Sequence, residues 1–363
     1  MTKKLYATTA SITNLELGSR EGVLFFVQND NLMQFDTKEG TLLQLTNFKK
    51  GTSKNKKEDD KSFLISQQTE LFQFIRDQEA KKKWNAERAK AIKSDFPKEY
   101  WYGEDNFEAF KMNPNGRFAT FRLTEEAKTI SEKMEVFITA DGYNQSPETK
   151  EKVSVKNLVN SKMGIYNVAK DTVYMINFSK LSHIKDQPED YALYDNLKKK
   201  DKEEKLIIAQ DPVYNETGSF AVVEIRSQDN KERWLVNLNS ENGTFEEIDH
   251  QHDEAWIGGP GIPSYSFGSG NLGFLYDNET IYFQSEATGF SHLYTYNLKT
   301  KKKTQVTTGK WEVRDVTLSK DKKTFYLSTN TTHPGNREFY KLNANDSVLQ
   351  PILTADGAHE VTM

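Results

Sequence analysis

The sequence contains no cysteine. That excludes disulfide staples and thiolate chemistry but leaves the compartment open, because a chain of this size can build a core without covalent help. No run of about 18 apolar residues occurs, so no membrane-spanning helix is expected. The N-terminus, Met1-Thr2-Lys3-Lys4-Leu5-Tyr6, lacks the apolar stretch of a signal peptide. Charge of one sign is also missing: 49 Lys and Arg against 53 Asp and Glu leave a formal net charge of −4, too little to favour nucleic acid or an anionic membrane. Catalytic motifs are absent as well. The chain has no Gly-x-Ser-x-Gly, no phosphate-binding or dinucleotide glycine loop and no His-Glu-x-x-His. No catalytic residue, cofactor or metal is therefore assigned.

What is present is apolar material in a repeating order. Hydrophobic residues make up 36% and aromatic residues 12% of the chain, enough for a folded core. A turn of Asn, Asp, Gly or Lys followed by alternating apolar residues occurs four times: Asn113–Gly116, Asn215–Gly218, Asp277–Thr280 and Lys320–Lys323. Those residues tolerate the left-handed backbone of a tight turn, and the aromatic and β-branched residues after them suit a pleated strand. A second unit, strand–polar turn–strand, recurs at Leu32 to Thr46, Trp234 to Ile248, Leu293 to Thr307 and Phe339 to Thr354. Two such hairpins make a four-stranded antiparallel sheet, and positions 277 and 320 are separated by the length of one propeller blade. An all-β chain is expected, a β-propeller of four-stranded antiparallel blades. A sandwich would not repeat the same order of turns and strands at this spacing.

One segment breaks the pattern. Residues 1–50 read as a first blade, 51–98 as a charged loop and helical insertion, and 99–363 as further blades. Lys54 to Lys61 holds nothing that can be buried. Apolar residues from Phe63 to Ile75 have mostly helical spacing, Glu79 to Lys93 is rich in helix formers, and Pro97 ends the run. The helical insertion thus falls near residues 60–96. Shorter breaks follow at Asp186–Asp190 and at Lys198–Lys205, the latter read as a solvated charge run.

Few polar clusters stand out. On a strand, His250, His252 and Glu254 share one face, as a metal would need, but two histidines beside a glycine-rich loop read more simply as a solvated rim. Glu246 and Glu247 are adjacent and so point to opposite faces, which argues against a shared role. Trp256 to Pro263, with three Gly and two Pro in eight residues, describes a tightly fixed loop that serves either function or a corner between blades.

From about His250 to Leu353 the chain resembles the propeller domain of the dipeptidyl peptidase IV group of the prolyl oligopeptidase family. The resemblance is carried by Gln251-His252 before the Trp256-Ile257-Gly258 loop, by Tyr282 through Tyr294, by Thr308 to Val313, and by Tyr326–Asn330 with Pro334–Leu342. The first half is similar to bacterial members, which place a Lys-rich helical insertion after a blade ending in Gln-Leu-Thr, here Gln44-Leu45-Thr46. The resemblance implies an N-terminal propeller, often eight-bladed, capping an α/β-hydrolase with a Ser-Asp-His triad. On that reading the chain is incomplete, stopping at Met363 before the last blade and the hydrolase. It would gate and position oligopeptides for release of N-terminal dipeptides by the missing domain.

The implied substrate-facing loop comprises His252, Glu254, Trp256, Gly258 and Gly259. The parent would be a serine peptidase, homodimeric in some relatives and exported to the periplasm or cell exterior in many. Two departures stand against this. The family's Asp-Trp-x-Tyr-Glu-Glu string is absent, so neither Glu246 nor Glu247 inherits its amine-binding role, and the Phe and Arg of the family's cavity loop fall near Pro260 and Gly261. Endopeptidase parents stay open. The alternative is a stand-alone propeller that binds a protein or glycan partner.

Overall fold

A computed structural model describes residues 4–52, 79–85, 87–88, 96–126, 131–151, 159–194, 203–263 and 268–361. Among them five antiparallel sheets of four or five strands follow one another along the chain. The first holds β1 (Thr13–Leu17), β2 (Val23–Gln28), β3 (Asn31–Asp36) and β4 (Thr41–Gln44). β5 (Asn47–Lys49) then pairs in parallel with β6 (Glu99–Trp101), closing the base of the long segment between them. Within that segment residues 79–85 and 87–88 are α-helical, while the expected loop at Lys54–Lys61 and the apolar run from Phe63 to Ile75 lie outside the described residues.

The second sheet begins with β7 (Asn106–Met112) and β8 (Phe118–Thr124). The chain leaves as a hairpin of β9 (Ser131–Lys133) and β10 (Glu148–Glu151), then returns as β11 (Ser161–Asn167) and β12 (Thr172–Met175). In the third sheet β13 (Ile207–Ala209) and β14 (Val213–Tyr214) both pair with β15 (Ala221–Ser227), followed by β16 (Glu232–Leu238) and β17 (Phe245–His252). The fourth is β18 (Leu272–Phe274), β19 (Thr280–Ser285), β20 (His292–Asn297) and β21 (Lys302–Gln305). The fifth is β22 (Val313–Leu318), β23 (Thr324–Thr329), β24 (Glu338–Asn343) and β25 (Gln350–Leu353). The fold is all-β and propeller-like, as the repeated turns predict.

The period-2 alternation of the strands decides how the sheets stack. On β15, Ala221, Val223 and Ile225 face one way and join Met163 and Ile165 of β11 in a single cluster. Val222 faces the other way and joins Ile281 and Phe283 of β19. The same division holds for β8 and β11, where Phe118 and Ile165 pack toward the third sheet while Phe121 and Tyr166 pack toward the first. It holds again for β19 and β20, where Tyr282 and Leu293 turn toward the fifth sheet. Each inner sheet is therefore apolar on both faces, and four clusters fill the four gaps between consecutive sheets.

Local turn chemistry is equally regular. In every sheet the residue before the first hairpin turn donates its N–H to the carbonyl five residues on: Gly18 to Val23, Asn113 to Phe118, Asn215 to Phe220, Leu275 to Thr280 and Ser319 to Thr324. The turn from third to fourth strand carries an Asp or Asn whose side-chain oxygen accepts backbone N–H groups two or three residues later, at Asp36, Asn167, Asn239, Asn297 and Asn343. The first-hairpin turns also bond to one another. Ser19 donates to the Pro114 carbonyl (2.9 Å), Asn113 Nδ2 to the Gly218 carbonyl (2.9 Å), and Asn215 Nδ2 to the Asn278 carbonyl (2.9 Å).

Antiparallel order then puts both kinds of short turn at one end of the stack. All the long connections, including 50–98, 125–160, 177–206 and 253–271, leave from the opposite end. Gly218 sits at φ +67 with Asn113 Oδ1 only 1.9 Å from where a Cβ would be. Gly218→Ala is expected to cost about 2 kcal/mol or more, from backbone strain plus the broken link to Asn113. Urea unfolding of the two proteins checks it, with a lower midpoint and an unchanged slope expected.

Candidate functional site

At the end that carries the long connections, β17 delivers His250 and His252 to one face, as alternation requires. A bulge opposite Leu235 and Val236 shifts the register just before them. His250 lies directly across from Trp234 and stacks on it at 5.6 Å, and His183 stacks on the far side of His250 at 4.6 Å. His183 arrives on the segment after β12, held down by Leu181 and Ile184 in the core and by Trp234 Nε1 donating to the Ser182 carbonyl (2.9 Å). Glu247 secures the same segment by accepting from Ser182 N and Oγ (3.0 and 2.6 Å), whereas Glu246 points away to Lys301 at 2.5 Å. The two glutamates do face opposite ways.

Beneath the histidines lies Glu232, whose side chain is only 1% exposed. One carboxylate oxygen meets His250 Nε2 at 2.8 Å, and the other meets His252 Nδ1 at 2.9 Å and Lys205 Nζ at 2.7 Å. Burial alone would raise this carboxyl. Hydrogen bonds from His250 and Lys205, the Lys205 charge and His252 outweigh it and hold the group down at about 2. Burial opposes protonation of His252, yet Glu254 (3.0 Å) and Glu232 prevail and raise the imidazole above its ordinary value. Lys205, the last residue of the presumed solvated charge run, is mostly buried and bridges Glu232 and Asp229 (3.2 Å). A buried carboxylate recruited it, which no local pattern announces. The other described residues of that run, 203–204, are coil, and 198–202 lie outside the description.

His183, Glu232, His250, His252 and Glu254 line a cleft of about 730 Å³ whose other wall is formed by Asp186, Pro188, Glu189 and Tyr191. A 3₁₀ turn, Glu189–Leu193, forms part of that wall. Among the described residues no set of three His, Cys, Asp or Glu has metal-binding geometry. The imidazole nitrogens that would ligate are already hydrogen-bonded to Glu232 and Glu254.

Next along the chain, the glycine- and proline-rich loop is fastened from below by buried polar side chains. Arg226, fully buried, donates to the Ile257 and Pro263 carbonyls (2.7 and 2.5 Å). Arg233 pairs with Glu224 at 2.9 Å, both of them fully buried, and donates to the Gln284 carbonyl and Gln251 Oε1 (2.9 and 3.1 Å). Glu224 in turn accepts from Gly270 N (2.9 Å). Gln284 and Ser291 reach the Pro260 carbonyl (3.3 and 2.9 Å). Ile257 and Ile262 are buried, and Trp256 is left half exposed above them, its ring edge beside Gly258. Gly259 has φ +99 and lies against the Glu286 carboxylate, where a Cβ would fall 2.2 Å from an oxygen. The structure thus brings His252, Glu254 and Trp256 to one exposed rim, with Gly258 and Gly259 in the fixed loop behind it. Sequence reasoning did not find His183, Lys205, Glu232 or Arg226. The hairpin register does not announce them: counting from the turn before Phe245 places Asp249 across from Trp234, and the bulge brings His250 there instead.

The model of the dipeptidyl peptidase IV (DPP IV) N-terminal region matches residues 141–363. No curated protein matches the chain by sequence. Among solved structures, Porphyromonas gingivalis dipeptidyl peptidase 4 is similar at a TM-score of 0.57 and 13% identity, over 98% of this chain and 41% of that one. A Bacteroides ovatus ATCC 8483 protein, provisionally named a dipeptidyl aminopeptidase IV, is similar at 0.51 and 12% identity, over 94% and 40%. The chain spans about two-fifths of the length of both.

Because the Glu232 carboxyl is depressed from 4.5 to about 2, its contribution to stability is complete above pH 4.5 and is lost as pH falls through the folded value. The raised His252 contributes in the opposite sense: present below 6.5, lost as pH rises through its folded value. Glu232→Gln is therefore expected to destabilise by about 3 kcal/mol between pH 5 and 6.5, with the gap to the parent closing at lower pH. Thermal melts of both proteins across pH 3–8 check it.

Proposed function

The chain belongs to the family of the dipeptidyl peptidase IV (DPP IV) N-terminal region, and on that premise we propose that it is the non-catalytic propeller of a serine exopeptidase, gating and positioning oligopeptides for removal of N-terminal dipeptides. The observation that carries this reading is the fixed loop Trp256–Pro263. A half-exposed indole sits on a backbone two of whose carbonyls are tied to the buried Arg226, at the end of the stack where the long connections gather. A rigid aromatic anchor of that kind contributes to binding because little freedom remains to be lost when a ligand arrives. His252 and Glu254, hydrogen-bonded to each other beside it, offer a polar rim to a peptide backbone, and Gly258 and Gly259 admit the Trp256 ring and the Glu286 carboxylate that pack on the loop.

The bond-breaking step is assigned to a hydrolase segment beyond these residues. A Gly-x-Ser-x-Gly within about 200 codons downstream is the expected sequence sign. The purified chain is expected to give no turnover of Gly-Pro or Ala-Ala chromogenic amides, with activity appearing when the downstream sequence is restored. In that longer protein, Trp256→Ala is expected to raise KM about tenfold while kcat changes less than about twofold, the pattern of a group that binds without taking part in the reaction. Turnover by the isolated chain, surviving active-site titration of contaminating proteases, would count against the assignment. So would a stop codon directly after position 363, which favours a stand-alone binding propeller.

A further inference from the structure

A second, smaller cavity of about 280 Å³ opens between the fourth and fifth sheets, at the same end as the loop. Its lining includes Phe290 from the turn after β19, Lys310, Trp311, Glu312 and Arg314 at the start of β22, and His333 from the turn after β23. Arg314 is the unusual group. It makes one hydrogen bond, from Nη2 to the Pro334 carbonyl (3.2 Å), and its Nε is buried without a partner. No carboxylate among the described residues pairs with it. Arg233, whose Nε is likewise buried without a partner, is balanced by the Glu224 carboxylate, and Arg314 has no such counter-charge. Lys310 is exposed and equally unpaired, and Glu312 is the single acid in the lining.

We propose that this cavity is a binding site for a carboxylate-bearing residue. The guanidinium of Arg314 and the ammonium of Lys310 take the anionic group, and Trp311 and Phe290 take its apolar neighbour. With one hydrogen bond made by its guanidinium, Arg314 keeps donor capacity on its terminal nitrogens for an incoming carboxylate. The volume, that of roughly nine liquid-water molecules, suits one amino-acid residue rather than a longer segment. Asn330, whose Oδ1 accepts from Glu312 N (2.6 Å), and the T-shaped packing of Trp311 on buried His292 (5.2 Å) hold the lining in place without a ligand. Identifying the anion as a residue of a peptide substrate rests on the function proposed above. The preference for a carboxylate does not, and it is measurable on this chain alone.

The probe is N-acetylleucine against its amide, titrated into the chain by calorimetry and by Trp fluorescence. The acid is expected to bind saturably and at least about fivefold more tightly than the amide, weakening as salt is added. Arg314→Gln is expected to abolish that difference while the melting temperature stays unchanged. If Arg314→Gln lowers the melting temperature, Lys310→Glu on the exposed lysine takes its place, with an expected loss of about threefold or more in acid affinity. Equal binding of acid and amide, binding of neither, or acid affinity untouched by both substitutions overturns the site. A chain that binds the acid but never supports peptidase activity keeps the site and rejects only the peptide as its source.

Discussion

The structure depends on the two-sidedness of its middle strands. A residue on β15 or β19 packs toward the sheet before or after it according to whether its position is odd or even, so no inner sheet has a solvent face to spare. Removing any one inner sheet would expose two apolar surfaces at once. Crowding follows directly: Gly164 on β11 stands where a Cβ would fall 2.3 Å from the Phe121 ring, so the gap between first and second sheets closes only over a bare backbone.

Burial this complete also explains the polar architecture. Charged side chains on β15 and β16 cannot reach water, so Glu224, Arg226, Glu232 and Arg233 are spent on internal partners. Those partners are the backbone of the loop above and the segment beside it. The loop is therefore held by the third and fourth sheets, and the cleft by Glu232, Lys205 and the stacked histidines. Rigid placement of these connections and the packing of the stack are two consequences of the same geometry.

Much of this was legible in the sequence because turn chemistry is local. Asn113, Asn215, Asp277 and Lys320 announce their hairpins without help from distant residues. The first sheet's Gly18–Gly22 turn escaped notice because the residues after it, Val23 to Val27, form an almost continuous apolar run with no alternation to count. The β11–β12 hairpin was missed because residues 125–160 separate it from β8, breaking the apparent period. At the site, the Gly- and Pro-rich composition around Trp256 pointed to a fixed loop. Which side chains fix it is decided by pairing across 31 to 37 positions, from Arg226 to Ile257 and Pro263, and no spacing rule encodes that. Lys205 is the clearest case: the residues before it are all solvated types, and its partner Glu232 lies 27 positions further on, on β16.

The most direct measurement is native-state hydrogen exchange on this chain. Ile257 N bonds to the Asn230 carbonyl (2.7 Å), Ile262 N to Gly259 (3.1 Å) and Asn271 N to Gly261 (2.8 Å). The account predicts that these loop amides exchange only through openings nearly as rare as those of β15 and β16. Exchange of the three at the rate of a free loop, with the strands beneath still protected, would contradict it.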